Sequence, residues 1–324
     1  MLFALAVALA SAAQEPTAER LIEEGHWKRA RALVEQRLGG QTDDPNALFL
    51  WSQIANAFGD RTAPLGLAEK AARLDGGVAR YHRQLAEVLG VTAQHAGMFQ
   101  QVMLARRFRK EVDTALELDP RDAQAERDLL EFYLLAPGIL GGDIKKAETA
   151  ARRIAALDAA EGYLAEARIA EFRKDAPQTE AMLRHAAEVR PASYKAQIGL
   201  AEFYLKPGRA KPAAAEGLGR KALEVDRGRA GAYCVLAAVY AEQGNWSALE
   251  ETLAGSQEAV PDDRAPFYRA AEQLLASGRE GTRAERYLRF YLAQEPEGNE
   301  PTAAMARAKL ELALRGRGRS ANGE

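Results

Sequence analysis

Apolar residues recur along this chain at the three- and four-residue steps of amphipathic helices, with no sustained strand-like alternation. The clearest stretch is Ala230 to Pro261, "AGAYCVLAAVYAEQGNWSALEETLAGSQEAVP". Tyr233, Leu236 and Tyr240 share one helix face at i, i+3 and i+7. Gly244 interrupts the pattern at a place that suits a left-handed helix end. Trp246, Leu249 and Leu253 then face back from a second helix. Two antiparallel helices are predicted, crossing closely at the small residue Ala237.

The same pair recurs, punctuated by a ladder of helix-ending positions. Prolines at 45, 120, 191, 261 and 296 are joined by Asp75-Gly76, Asp158-Ala159 and Asp226-Arg227. The full ladder runs 45, 76, 120, 159, 191, 227, 261, 296, with steps of 31, 44, 39, 32, 36, 34 and 35. A near-constant step in this range marks a repeat array. Each rung closes a short amphipathic segment, such as "TALELDP" at Thr114 or "KALEVDR" at Lys221. Proline ends a helix there because it lacks an N–H and biases its predecessor out of the α region. The unit from Val78 to Pro120 is long, with helices of about five turns each.

At fixed offsets, Tyr233, Leu236-Ala237, Tyr240, Gly244 and Pro261 resemble the tetratricopeptide-repeat pattern. The frame also fits Ala160 to Pro191 (Tyr163, Ala167, Leu183, Ala186) and Tyr194 to Arg227 (Leu200, Ala201, Tyr204, Gly208, Ala222). "GHWKRA" at Gly25 repeats the logic of "GNWSAL" at Gly244, so Trp27 and Trp246 share a slot and are expected to pack in the core. The resemblance, to exported bacterial members of the family among others, covers roughly 17–296. It implies an all-α solenoid of seven to eight antiparallel helix pairs. A capping helix is expected over 297–314 and a flexible basic tail over 315–324.

In the loop "LLAPGILGGDIKKAE", Gly142 is expected to match Gly244, with five extra residues inserted before it. "EFYLLAPG" at Glu131 is echoed by "EFYLKPG" at Glu202.

The N-terminus, "MLFALAVALASAAQEP", joins an apolar run to small residues, as a secretory signal peptide does. A signal over 1–13 and a periplasmic location are expected. The run lacks a basic residue before it, which leaves a cytoplasmic location open. No stretch has the ~20 apolar residues that a membrane helix needs.

Whole-chain chemistry narrows the function. The 44 basic and 46 acidic residues balance, against the cationic surplus that nucleic-acid binding needs. One cysteine and four scattered histidines give no zinc-ligand spacing. "PGILGGDIKK" lacks the Gly-Lys-Ser/Thr of a phosphate loop and follows a helix, not a strand. No nucleophile elbow or catalytic triad spacing occurs. No catalytic residue, cofactor or metal is expected.

The resemblance implies a concave surface lined by the first helix of each unit. Its positions nominate Arg127, Glu131 and Leu134; Leu164, Arg168 and Glu171; and Lys195, Ile198, Glu202 and Lys206. Cys234 and Ala238 fill the same slots one unit on. The Lys/Asn carboxylate clamp of the chaperone-tail subfamily is absent. The mixed charges favour a protein or peptide partner, hence a non-catalytic scaffold; a solute-binding accessory of a transport system is the alternative.

Overall fold

The computed structural model describes residues 16–39, 43–209, 211–298 and 300–321. The expected signal segment therefore lies outside the described residues. Among those described, seventeen α-helices and one short 3-10 turn follow each other with no strand.

Sixteen of the helices form eight hairpins. These are α1 (Ala18–Glu24) with α2 (Trp27–Leu38), α3 (Pro45–Ala57) with α4 (Ala63–Leu74), and α5 (Ala79–Gln94) with α6 (Met98–Leu118). Next come α7 (Ala123–Leu135) with α8 (Ile144–Leu157), α9 (Ala159–Phe172) with α10 (Ala176–Glu188), and α11 (Tyr194–Leu205) with α12 (Pro212–Val225). The last two are α13 (Ala230–Gln243) with α14 (Trp246–Ala259) and α15 (Ala265–Ala276) with α16 (Gly281–Leu292). Helix α17 (Ala303–Ala321) covers the end of the stack.

The ladder works through helix caps. Asp44 accepts from the N–H groups of Asn46 and Ala47, and Pro45 follows where a missing N–H costs nothing. Asp158 serves two helices: its N–H caps α8 through Ile154 O, and its side chain accepts from Glu161 N to start α9. A side-chain cap of this kind is worth about 1 kcal/mol.

Packing follows from small residues at the crossings. Ala237 is fully buried and Ala167 nearly so. A Cβ on Gly162 would lie 2.4 Å from that of Ala155, so α8 and α9 meet where only glycine fits. Apolar faces then merge into a core running the length of the array. Its two halves meet on α9, which gives Ala165 and Ile169 to one and Ala167 to the other. Burying a side chain such as Leu249 completely contributes about 1.5–3 kcal/mol. Trp27 and Trp246 both open the second helix of their hairpins and pack, half-buried, against this core.

Two expectations need correction or refinement, and one feature was not expected. The tail expected from 315 is helical to Ala321. In the loop after α7, the left-handed residue is Gly141 (φ 104°), not Gly142. Gly142 is needed for space: a Cβ there would lie 1.8 Å from Ala136 O. The turn itself matches its echo, since Asp143 N donates to Tyr133 O just as Lys211 N donates to Tyr204 O.

The third feature is a closure that sequence reasoning did not anticipate. The array curves until its first hairpin meets the turn between α14 and α15 and the segment between α16 and α17. Lys28 Nζ donates to Asp262 O at 2.5 Å and to Glu295 O at 2.8 Å, and its backbone N–H donates to Glu297 at 3.1 Å. Arg31 grips both oxygens of Glu295, and His26 Nδ1 lies 2.8 Å from Asp262 Oδ2. Gly298 sits against the backbone of Ala57, where a Cβ would be 3.4 Å from the carbonyl oxygen. Both ends of the solenoid are thus tied together.

Candidate functional site: a continuous concave channel

Three depressions follow one another along the inner face. The central one, about 300 Å³, is built by α7, α9, α10 and α11. Eight nominated residues line it: Arg127, Glu131, Leu164, Arg168, Glu171, Lys195, Glu202 and Lys206. Its floor is apolar, formed by Leu130, Leu183 and Phe203, with Gly199 leaving the bottom open. The other two nominees lie elsewhere. Leu134 is buried in the core cluster that α7 shares with α8. Ile198 packs on the core one step along, beside Gly231 at the start of α13.

The charged rim is ordered by the repeat itself. Glu161 on α9 receives Arg127 from α7 on one side and Lys195 from α11, at 2.9 Å, on the other. Arg168 donates to both oxygens of Glu131, at 2.8 and 2.9 Å, and Lys206 donates to Glu171 at 2.9 Å. Each pair joins adjacent units, at separations of 34 to 37 residues. The rim is therefore a ladder of inter-unit ion pairs. The hydrogen bond from Lys206 holds the Glu171 carboxyl below its usual range. Burial, and next to it Arg127, pulls the Lys195 ammonium down despite Glu161.

Towards the C-terminus the channel widens to about 700 Å³ between α11, α13, α15 and the start of α17. Glu202 and Lys206 belong to both depressions, so the surface is continuous. Cys234 and Ala238 line this part as their slots implied. Burial pushes the Cys234 thiol up, so it stays protonated at neutral pH and is a poor nucleophile. Tyr268, Arg269 and Gln273 were missed from sequence. Counting Ala265 as the first position of its unit, Arg269 and Gln273 fall in the fifth and ninth slots, a signal the sequence carried. Arg269 reaches Glu202 at 3.9 Å, extending the ladder. Towards the N-terminus a third, apolar depression adjoins the central one at Glu131.

Outside the channel, His26, Asp262 and Glu297 bring ligand-type atoms within 4.8 Å of one another, the one such group among the described residues. Lys28 Nζ already lies 3.3 Å from Glu297 and supplies the cation, so the group is an ion-paired latch. The hydrogen bond to Asp262 raises the His26 imidazole above its usual value. Burial pushes Asp262 up, but His26 more than offsets this and holds it low. Burial outweighs Lys28 at Glu297, whose carboxyl is pushed up to about 7.

No family model and no curated protein matches the chain. Among solved structures, yeast Tom70 superposes over 98% of this chain and 68% of its own, at 13% identity and a TM-score of 0.58. A thermophilic TPR protein of Thermus thermophilus, TTC0263, superposes over 58% of this chain and 96% of its own, at 19% identity and a TM-score of 0.50. The fold is the tetratricopeptide-repeat solenoid that the resemblance implied. No helix among the described residues is long and apolar enough to cross a membrane.

Proposed function

We propose that the protein is a non-catalytic scaffold that holds a peptide or a segment of a protein partner along its concave channel. One observation carries this reading. The depressions share lining residues, and their rim repeats acid and base at the period of the array. A segment lying in the channel meets an apolar floor and a charge pattern in register with successive units. Because the rim charges already satisfy one another, exchange with a partner's charges adds selectivity more than raw affinity. An extended channel with shared mouths favours a chain segment over an enclosed solute. The apolar stretch at the N-terminus, followed by Ala10-Ser11-Ala12, supports an exported protein acting in the bacterial envelope.

The test is site-specific photo-crosslinking in cells from positions 168 and 202. The reading expects a discrete adduct, lost when Lys195 and Lys206 are both changed to glutamate. A smear of abundant proteins, unaffected by that charge reversal, would sink the channel as a binding face.

A further inference from the structure

The solenoid departs from regularity in two places, and the structure sets them side by side. Helices α5 and α6 run 16 and 21 residues, against 12 to 14 for α3, α8, α14 and α15. The enlarged loop after α7 packs its 3-10 turn, Gly138–Leu140, against α6. Between the long hairpin and this loop lies a cleft of about 410 Å³.

Its walls are Val91 from α5, Ala105 and Phe108 from α6, Phe132 and Leu135 from α7, and Leu140 from the loop. Each helix presents one stripe to it at helical period: 87, 90, 91 and 94; 101, 105 and 108; 128, 131, 132 and 135. Apolar surface continues beyond the mouth. Leu135 is 61% exposed, and Met98, a turn before Gln101 on the same stripe of α6, is 79% exposed. Large apolar side chains left open in one corner mark an interaction face.

At the floor sit two carboxyls, Glu87 and Asp128. Glu87 receives a hydrogen bond from Asn56 at 3.3 Å. Asp128 Oδ1 receives one from Gln124 at 3.4 Å, while Oδ2 is shut off from solvent and accepts none. Arg83, the base that faces both, is ion-paired with Asp122 at 3.4 Å. Burial, with Glu87 adding like charge, pushes Asp128 up to about 7. A buried acid pair with an unused acceptor gains from a cation brought in on an apolar stem.

We propose that this cleft docks a short amphipathic helix of a protein partner, its apolar face on Phe108 and Phe132 and one lysine or arginine reaching the Asp128–Glu87 floor. Apolar walls alone would accept any greasy segment; the acidic floor selects one with a basic residue among its apolar ones. The same acids oppose an anionic lipid surface. A helix laid between helical walls is an established way to fill such a cleft. The proposal rests on the scaffold reading for the kind of partner; the cleft shares Glu131 with the central groove, but the contacts proposed here are to Phe108, Phe132, Asp128 and Glu87.

The experiment is fluorescence anisotropy with a labelled 14-residue helical peptide bearing Leu at i, i+3, i+4 and i+7 and a single Lys. Its twin carries norleucine for that Lys. Wild type should bind the Lys peptide saturably, and the twin about tenfold more weakly. Asp128→Asn should erase that difference by weakening the Lys peptide alone. Leu135→Ser, at an exposed position that the fold does not need, and Ala105→Glu, which fills the cleft, should weaken both peptides. Three results overturn the proposal. The first is a Lys peptide that shows no saturable binding to wild type, or that binds Asp128→Asn unchanged. The second is binding abolished by Lys206→Glu but not by Leu135→Ser, which puts the peptide in the central groove and leaves the scaffold reading standing. The third is capture of wild type, but not of Leu135→Ser, by vesicles of phosphatidylglycerol and phosphatidylethanolamine, which makes the face a lipid contact.

Discussion

Glu297→Gln should change how the stability of the whole array depends on pH. Glu297 is buried in the closure between the two ends, beside Lys28 and Asp262. Its carboxyl is raised from 4.5 to about 7. The folded state therefore holds this proton more tightly than the unfolded state does. Below pH 4.5 both states are protonated and nothing is lost. As pH rises from 4.5 to 7 the unfolded state ionises first, and folding stability falls. Above 7 the whole cost, about 3 kcal/mol for that displacement, is present. His26 acts in the same direction. Its raised value gives stability that is complete below 6.5 and lost as pH climbs through the folded value. Asp262 acts oppositely: its lowered value gives stability present above 3.8 and lost on acidification. The closure is tightest at mildly acid pH.

Glutamine keeps an oxygen for the Lys28 N–H but cannot titrate. At pH 5.5 it should cost little, because Glu297 is then mostly protonated. At pH 8.5 it should stabilise relative to its pH 5.5 effect by about 1–2 kcal/mol, since about one pH unit of the displacement already lies below 5.5, the lower figure allowing for the lost ion pair with Lys28. Urea unfolding at both pH values, followed by circular dichroism, gives the double difference. Asp128 and Glu87, also raised by burial, cancel in that difference because both proteins carry them. Hydrogen exchange in α1 and α2 reads the same closure locally. Parallel pH curves, within about 0.5 kcal/mol, would refute the burial argument for Glu297.

Two packing predictions follow from the crossings and the loop. Ala237→Leu and Ala167→Leu should each overpack a helix contact and cost about 1–3 kcal/mol in thermal or urea unfolding, and unchanged unfolding in both would refute the repeat frame. Gly142→Ala should destabilise clearly, since its Cβ would collide with Ala136 O, whereas Gly138→Ala meets nothing within 4 Å and should be neutral. Equal melting temperatures for those two variants would show that the loop is not held as described.

The repeat was legible because its signals are local. Asp44-Pro45 encodes a cap and a first helical residue within two positions, and Gly244 takes the left-handed conformation (φ 68°) that its place after α13 required. The channel was legible because inner-face positions inherit their geometry from that frame. Leu134 shows the limit: its slot is right for the inner face, yet it is buried in the core between α7 and its neighbours. Gly141 shows another, since a five-residue insertion moves the left-handed position off the aligned glycine. The closure was not legible at all. His26 and Asp262 are 236 residues apart, and no local pattern marks residues that meet only after the array has curved through its full length. The acid-floored cleft was hidden for a related reason. It depends on how far the long α5–α6 hairpin reaches along the loop, a distance that no helical period specifies.

Closure alters what a repeat array can do. In an open solenoid each hairpin touches its neighbours alone, and the ends fray independently. Here Lys28, Arg31 and His26 tie the first hairpin to the turns after α14 and α16, and the cavity at that junction shares Gly231, Ala265, Glu300 and Pro301 with the wide end of the channel. The backbone that closes the array is thus also a wall of that part of the channel. Loosening the junction must reshape the channel between α13 and α17. It leaves the apolar cleft untouched, because that cleft is walled by α5, α6, α7 and their loop, with no residue from either end. A partner spanning the whole inner face would feel the state of the closure at one end only. A partner seated in the cleft would not feel the closure; its affinity would instead follow the ionisation of Asp128, whose carboxyl is pushed up by burial to about 7.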